Sequence, residues 1–567
     1  RTESERHERL PRPTAQTELL LARVHRRDGT VLAPEQQDAA APSVRWPRLR
    51  RGDVVEVAVR AWTTGPVGRR GDVPFYFVDY VGSLDTRPVL YNEVVVDAPE
   101  GSPLAFEVVG GAAERRSDEA LGERRITHLV WERPPTVRDE PLAPALTELV
   151  PVVVGSAFPD WRAFLRWYRE AVAGFTQPDD QIRRLGADLT RGKNSREEKI
   201  EALFNFVADD IRYVNYVSGE WWLPNRPQQL LARRQGDCDD KAMLLISLLR
   251  AVGIEATEVL LQTRHTAQPA VLQTTKVAVP LFDHGIVALR APDGSPERYL
   301  DATSPQSRLG PLPAMDLGAR ALLVPDGEEL EGAPPRILVT PPGSAADHGV
   351  EARWTIRLEP SGAGTLDATQ THRGDGGFVL RSQLGQADAR AQWVEQNLVA
   401  DWFPSIKVSP KVSFRGDLPG GAAEVGYRAR SESLARREGE DLVLVLAPTM
   451  PLVAELAPLV GRTLPVVLPP ALAPQHQDLQ LRLEAPKTHD FAAAPPDSVE
   501  DGGAFGAAEL SFVLSRQRDV LTVSRRLSLQ QSRIEVAEYT RWRAWLQRID
   551  RLTQRSIRLV PRAAAGL

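Results

Sequence analysis

The sequence contains one cysteine, Cys238, in Gln235-Gly-Asp-Cys-Asp-Asp-Lys-Ala-Met-Leu-Leu245, where a polar loop runs into an apolar segment. A thiol at a helix start faces unpaired backbone N–H groups and the positive end of the dipole, and both favour the thiolate. The same N–H groups can hold the negative oxygen that develops when a thiolate attacks a carbonyl. Such a site needs a base and a carboxylate to orient it. His284, in Phe282-Asp-His-Gly-Ile-Val-Ala-Leu289, opens a strand-like run, and Asp301, in Arg298-Tyr-Leu-Asp-Ala-Thr303, closes the next one. Adjacent strands can set an imidazole beside a carboxylate, and a helix packed across them can aim its N-terminus at the ring. The expectation is a low-pKa Cys238 nucleophile, His284 as base and Asp301 as its orienting group. The bland alternatives are a buried, inert cysteine and a turn-forming aspartate bonded to local N–H groups.

Other histidines compete for the role of base. Asp347-His-Gly-Val350 repeats Asp283-His-Gly-Ile286, and Leu366-Asp-Ala-Thr369 repeats Leu300-Asp-Ala-Thr303. His348 with Asp367 is therefore a second candidate pair, and His265, in a polar loop, is a third candidate base. His284 and Asp301 are preferred because they share one compact stretch with Cys238, whereas His348 and Asp367 lie beyond a Pro-rich segment.

The elements that must position these groups can be read from periodicity. Val54–Val59, Phe75–Val78 and Tyr91–Val96 are β-branched or aromatic runs bounded by turn residues, so residues 1–155 read as a β-rich domain. Helical spacing begins at Trp161, Phe164, Leu165 and Tyr168, with Asp160 as N-cap. Ser195-Arg-Glu-Glu198 is a capping-box pattern ahead of Ile200, Leu203, Phe204, Val207 and Ile211. The segment after Asp237 is apolar nearly all round, which predicts a buried helix ending at Gly253. Strands are predicted at 254–261, 285–289 and 298–301. Residues 156–325 thus form an α+β core, and 326–345 read as a Pro-rich linker. Residues 346–567 read as a second β-rich domain with helices near 380–403 and 536–552. The last helix carries Tyr539, Trp542, Trp545, Leu546, Ile549 and Leu552 on one side and arginines elsewhere. A membrane-surface role exists for such a basic amphipathic helix, but packing on its own domain is preferred.

Composition narrows the function classes. The chain has 567 residues, which sets about three or four domains as a prior. A net charge of −5 removes the broad electrostatic case for nucleic acid. One cysteine excludes an intrachain disulfide and a Cys-rich zinc site. The most apolar stretch, 442–460, is broken by Pro448, Pro451, Glu455 and Pro458, so no integral membrane helix is expected. No signal-peptide pattern is visible, and a chain opening on Arg1 reads as a fragment or a processed product.

Gly236-Asp-Cys-Asp-Asp-Lys-Ala-Met-Leu-Leu245, followed by Leu249-Arg-Ala-Val-Gly-Ile254, resembles the nucleophile helix of the transglutaminase-like superfamily. His284 and Asp301 match its His and Asp in order and context, and Ile211-Arg-Tyr-Val-Asn-Tyr216 is similar to the approach segment of bacterial members. The layout also resembles a bacterial subgroup in which an N-terminal β-rich domain of unknown function precedes the core. The resemblance implies a papain-like fold, with a helix-borne cysteine on an antiparallel sheet between two β-rich domains. It implies a cysteine hydrolase or acyltransferase, a protein or peptide substrate, no cofactor and no metal, and it leans towards the cell envelope or periplasm. Trp221 and Trp222 precede Cys238 at a distance that suits an oxyanion donor or a substrate groove. The residue after the nucleophile is often basic in this subgroup; here it is Asp239, and three acids flank the thiol. The rival reading is a non-catalytic transglutaminase-like scaffold that binds a polypeptide or envelope partner.

Overall fold

The computed structural model describes residues 7–9, 16–38, 43–62, 76–214, 223–263, 282–291, 296–325, 335, 337–403, 405–446, 451–469 and 472–562. Among these, the residues ahead of the core form small, mostly antiparallel sheets. One of these sheets supports the core. Its central strand, Val152–Ser156, pairs with Ala105–Val109 and Tyr76–Tyr80, and every residue of it is buried. Val152 and Val154 share a cluster with Trp161, Phe164, Leu165, Met243, Leu260 and Leu322, so this sheet packs directly on the core.

The core opens with helix α1 (Trp161–Ala171), capped by Asp160, whose side chain accepts from Ala163 N at 2.8 Å. Helices α2 (Asp180–Leu189), α3 (Arg196–Asp210), α4 (Pro227–Arg233) and α5 (Cys238–Ala251) follow. The Ser195–Glu198 capping box forms as the sequence predicts. Helix α5 is buried along most of its length, in a cluster with Ile200, Leu203 and Phe204 of α3 and Val287, Leu289 and Leu300 of the sheet. Gly253, at φ +78°, ends it.

The sheet beneath α5 has strands β1 (Ala256–Gln262), β2 (His284–Arg290), β3 (Pro296–Leu300), β4 (Arg320–Leu323) and β5 (Ile337–Val339), in the order β3-β2-β1-β4-β5. All neighbours are antiparallel. Strand β5 lies inside the stretch that reads as a linker. Prolines on both sides mask a three-residue edge strand too short to show a period.

The C-terminal region is built on a nine-stranded sheet. Strand Gly349–Leu358 alternates as expected, with Trp354, Ile356 and Leu358 turned into the main core. The helix predicted at 380–403 starts earlier, at Asp375, and breaks after Leu384 before a second helical stretch at 390–399. Gly374, at φ +53°, sets the early start. The final helix, Val536–Thr553, buries Tyr539, Trp542, Trp545, Leu546 and Ile549 against residues of 456–534, so its aromatic stripe is spent inside its own domain. Among the described residues no helix is long and apolar enough to cross a membrane.

The three regions are fastened by polar contacts as well as by packing. Glu140, from the N-terminal region, accepts from Thr463 N and Oγ1, both at 2.8 Å, and from Leu464 N at 3.2 Å. Arg462 lies 3.3 Å from the same carboxylate, and both side chains are buried. Arg381, from the C-terminal region, donates to Gln306 O at 2.6 Å, just beyond β3.

Lys241 is the least expected of these fasteners. It is 1% exposed, yet it carries an ammonium group. Its Nζ donates to Ile211 O and Thr303 O, both at 2.8 Å, and to Ala208 O at 3.3 Å. It thereby joins α5 to the end of α3 and to the turn after β3. Burial pushes its pKa down to about 8, with Asp301 and Asp209 opposing the shift. Lys241→Met keeps the bulk but strips three buried carbonyls of their donor. The expected loss is about 3 kcal/mol of unfolding free energy, read from urea denaturation at pH 7. A midpoint equal to that of the parent would refute the clamp.

Candidate active site

Cys238 is the first residue of α5, and its cap explains two of the three acids around it. Asp237 Oδ1 accepts from Asp240 N at 3.0 Å, and Asp240 Oδ2 accepts from Asp237 N at 3.3 Å, a reciprocal capping box. Asp240 is held further by Asn225, whose backbone N and Nδ2 both donate to it. The sequence carries this signal as Asp-x-x-Asp, although on sequence grounds the acids stand out only as charge. Asp239, the third acid, turns towards β2. Its Oδ1 lies 1.9 Å from where a Cβ on Gly285 would stand, so a side chain there would have to displace the Asp239 carboxyl.

The structure brings His284 and Asp301 together. His284 Nε2 lies 3.2 Å from Asp301 Oδ2, and both residues are buried. The imidazole and the Cys238 thiol are also close enough for each to shift the other's ionisation. Asp301 Oδ1 meanwhile accepts from Thr303 N at 2.8 Å. The turn-forming and ring-facing readings of Asp301 therefore hold at once, one for each oxygen.

The second candidate pair is not brought together. His348 is buried against Gly374, with Asp347 and Asp375 as its charged neighbours. Asp367 binds Arg357 and Arg428 on the exposed face of the C-terminal sheet. His265, Trp221 and Trp222 lie outside the described residues.

The electrostatics overturn one expectation. Cys238 is partly open to solvent, yet its thiol is pushed up to about 11, not down. Burial is the main cause and Asp239 adds to it, while the His284 hydrogen bond and charge oppose it. Desolvation of the thiolate outweighs the helix start, whose contribution is typically worth under about 1 kcal/mol. Burial likewise lifts Asp237 to about 8 and Asp239 to about 7. These acids hold protons into the neutral range, which removes much of the repulsion that three carboxylates would impose. His284 goes the other way. Burial works against its charged form, but Asp301 and the Cys238 bond raise it well above the usual imidazole value. Asp301 falls to about 2 because the imidazolium charge and bond, with Thr303, outweigh its burial.

Three neighbours escape sequence reasoning. Glu258, in the centre of β1, accepts from Tyr168 Oη at 3.0 Å and is raised by burial and by Asp239. Asn225 braces the cap. Asp316, in the 3-10 turn Ala314–Asp316, sits 4.0 Å from His284 Nε2. No periodic or motif signal marks a single polar residue in an irregular loop. His284, Asp301 and Asp316 each place one ligand atom within 4.8 Å of the others, the grouping among the described residues that could hold a cation.

Residues 183–279 match the model of the transglutaminase-like superfamily, so the chain carries a transglutaminase-like domain spanning Cys238. A crystal structure from Parabacteroides distasonis, of a protein provisionally called a protease, is similar to this chain in fold. The match has a TM-score of 0.63 at 13% identity and covers 96% of this chain and 89% of that one. A structure from Cytophaga hutchinsonii, provisionally a cysteine protease, aligns over 40% of this chain and 79% of its own, at 15% identity and a TM-score of 0.19. No curated protein matches the chain in sequence.

Asp239→Asn tests the electrostatic account. Asp239 titrates below the thiol, so it is charged when Cys238 ionises. Its removal moves the pH midpoint of Cys238 alkylation down by about one unit; an unmoved midpoint refutes the assignment. The folded chain also keeps the Asp239 proton from pH 3.8 up to about 7, where the unfolded chain has lost it. Stability from this group is therefore present below that window and lost as pH rises through it. The variant's melting temperature should fall less between pH 5 and 8 than the parent's.

Proposed function

We propose that the chain is a papain-like cysteine enzyme that acts on an amide or ester carbonyl through an acyl group on Cys238. The observation that carries this reading is the imidazole of His284, bonded to Asp301 at 3.2 Å and interacting with the thiol of Cys238 at the start of a buried helix. At neutral pH the pair stands as thiol and imidazolium. Loss of one proton gives the thiolate beside the imidazolium, which is the attacking state. Sγ adds to the carbonyl, and the backbone N–H groups at the start of α5 face the developing oxyanion. The imidazolium protonates the leaving group as the tetrahedral adduct collapses to the acyl-enzyme. The neutral ring then takes a proton from the incoming nucleophile, and the acyl group departs. Water as nucleophile makes a peptidase or amidase, and an amine makes an acyltransferase. The provisional naming of the fold neighbour as a protease favours water and a peptide substrate.

One observation favours the rival scaffold reading, namely the raised thiol. A single experiment separates the two. Turnover of p-nitrophenyl esters and of a fluorogenic peptide pool is followed from pH 6 to 10, with an amine acceptor added in parallel. The enzyme reading expects turnover that climbs into the alkaline range and is lost in Cys238→Ala. Asp301→Asn should fold normally yet lose turnover by about tenfold to 10⁴-fold, since the amide favours the wrong ring tautomer and no longer stabilises the imidazolium. Parental turnover in a folded Asp301→Asn, or in Cys238→Ala, would overturn it.

A further inference from the structure

The loop that follows Asp301 walls a cavity of about 230 Å³ at the seam between the core and the C-terminal region. Leu309, Leu312, Met315 and Phe378 give it an apolar lining, and Asp301 borders it, whereas Cys238 and His284 are not part of its wall. The walls are fastened to one another. Arg308 binds Asp417 of the C-terminal region at 2.8 Å and Asp209 of α3 at 3.0 Å, and Ala314 N donates to Asp375 Oδ1 at 3.0 Å. Gly310 approaches Gly420 so closely that a Cβ would lie 2.8 Å from its carbonyl oxygen. The cavity is therefore held open by pinned backbone on both sides.

Two polar groups in this wall are left incomplete. Arg381 is 6% exposed. Its Nε donates to Gln306 O, and its Nη1 faces the carbonyls of Gly416, Gly421 and Ala422. Among the described residues its Nη2 meets no acceptor, and no carboxylate is hydrogen-bonded to the guanidinium. Ser307, 9% exposed, follows Gln306 directly, and its hydroxyl has no hydrogen-bond partner among the described residues. The other charged groups of the wall are engaged: Arg308 by two carboxylates, Asp375 by Ala314 N, and Asp301 by His284 and Thr303. Burial, with Arg308 adding to it and Asp417 and Asp209 opposing, pushes Arg381 down to about 10, which leaves it charged at neutral pH. A buried guanidinium held by carbonyls alone lacks the partner that its charge and planar fork fit best.

We propose that this cavity is a binding site for a small apolar carboxylate, whose charged end meets Arg381 Nη2 and the Ser307 hydroxyl and whose hydrocarbon body lies against Leu312, Met315 and Phe378. The guanidinium supplies charge and a planar donor, the hydroxyl a second donor, and the apolar wall the burial that holds the body. A cavity of this volume takes a ligand of roughly ten non-hydrogen atoms, which excludes a long-chain fatty acid. A neutral ligand leaves the guanidinium unanswered, and an amine meets it with like charge. The site shares a wall with Asp301 but does not depend on the reading of Cys238 as a nucleophile.

The sequence has three methionines, and one of them, Met315, stands in the cavity wall, which makes the test direct. The full chain is isotopically labelled at its methionine methyl groups and titrated with phenylpropanoate, phenylpropanol and phenylpropylamine, which share one hydrocarbon body, while methyl NMR spectra are recorded. Met315→Leu identifies the cavity signal by removing it. The Met315 signal should shift saturably with the carboxylate, at a Kd of about 0.1 to 1 mM. That of Met243, inside the core, should stay in place. The alcohol should bind about tenfold more weakly or worse, and the amine should leave the signal unmoved. Arg381→Gln, which removes the charge, should weaken the carboxylate by about tenfold or more, and Ser307→Ala, which leaves every fastening of the wall intact, by about threefold. A Met315 signal that ignores the carboxylate overturns the proposal. So does equal binding of acid and alcohol, the mark of an apolar cavity without anion recognition, or parental affinity in a folded Arg381→Gln. If the melting curve shows that Arg381→Gln does not fold, the ranking of the three probes on the parent decides between the same two outcomes.

Discussion

Lys241 places a positive charge in the protein interior one turn along the helix from Cys238, and three main-chain carbonyls are what satisfy it. Two of them belong to the end of α3 and one to the turn after β3. The ammonium therefore fixes, at one point, the pitch of α5, the stretch that leaves α3 and the loop that presents Asp301. A neutral residue of equal bulk could fill the space but could not choose between alternative settings of three separate segments. Buried charge is a poor source of net stability, and its well-attested use is to specify a unique arrangement. Here the arrangement it specifies is the relative position of a thiol and a carboxylate that approach one imidazole from different elements.

The same low-dielectric surroundings that make Lys241 selective also set the character of the thiol. A cysteine at the start of an exposed helix would be acidified by the backbone. Cys238 sits mostly buried beside Asp239, so the cost of an anion dominates. The site answers this in two ways. It lets Asp237 and Asp239 hold their protons into the neutral range, and it invests its one strong ion pair in His284 and Asp301. The imidazole beside Asp301 is then the group on which positive charge is favoured.

Much of this is legible in the residues. The helix starts at Asp160 and Ser195, the buried helix after Asp237 and the strand carrying His284 follow from capping and periodicity, which are local. The choice of His284 over His348 rests on chain position, and the structure separates them through Asp367, which is spent on two arginines. What escapes is non-local. Asp237 and Asp240 have the residue types of a cap but stand out as repelling charges, because only the fold shows which oxygen meets which N–H. Asp316 and Glu258 gain their meaning from burial beside groups distant in sequence. The strand at 337–339 is too short to show a period and is hidden among prolines.

The carboxylate of Glu140, seated on Thr463 and Leu464 beside Arg462, means that the chain is closed into a ring of contacts as well as joined end to end. The first region grips the third directly, while Arg381 grips the loop behind Asp301 from the third region. Severing the covalent path between the core sheet and the C-terminal sheet would leave both grips in place. A protease that nicked the chain there would produce two polypeptides that still travel as one particle. Separate expression of the two segments would ask them to find each other through these contacts together with Arg308–Asp417, Arg533–Glu148 and Val467 N to Leu142 O, the logic of a split protein.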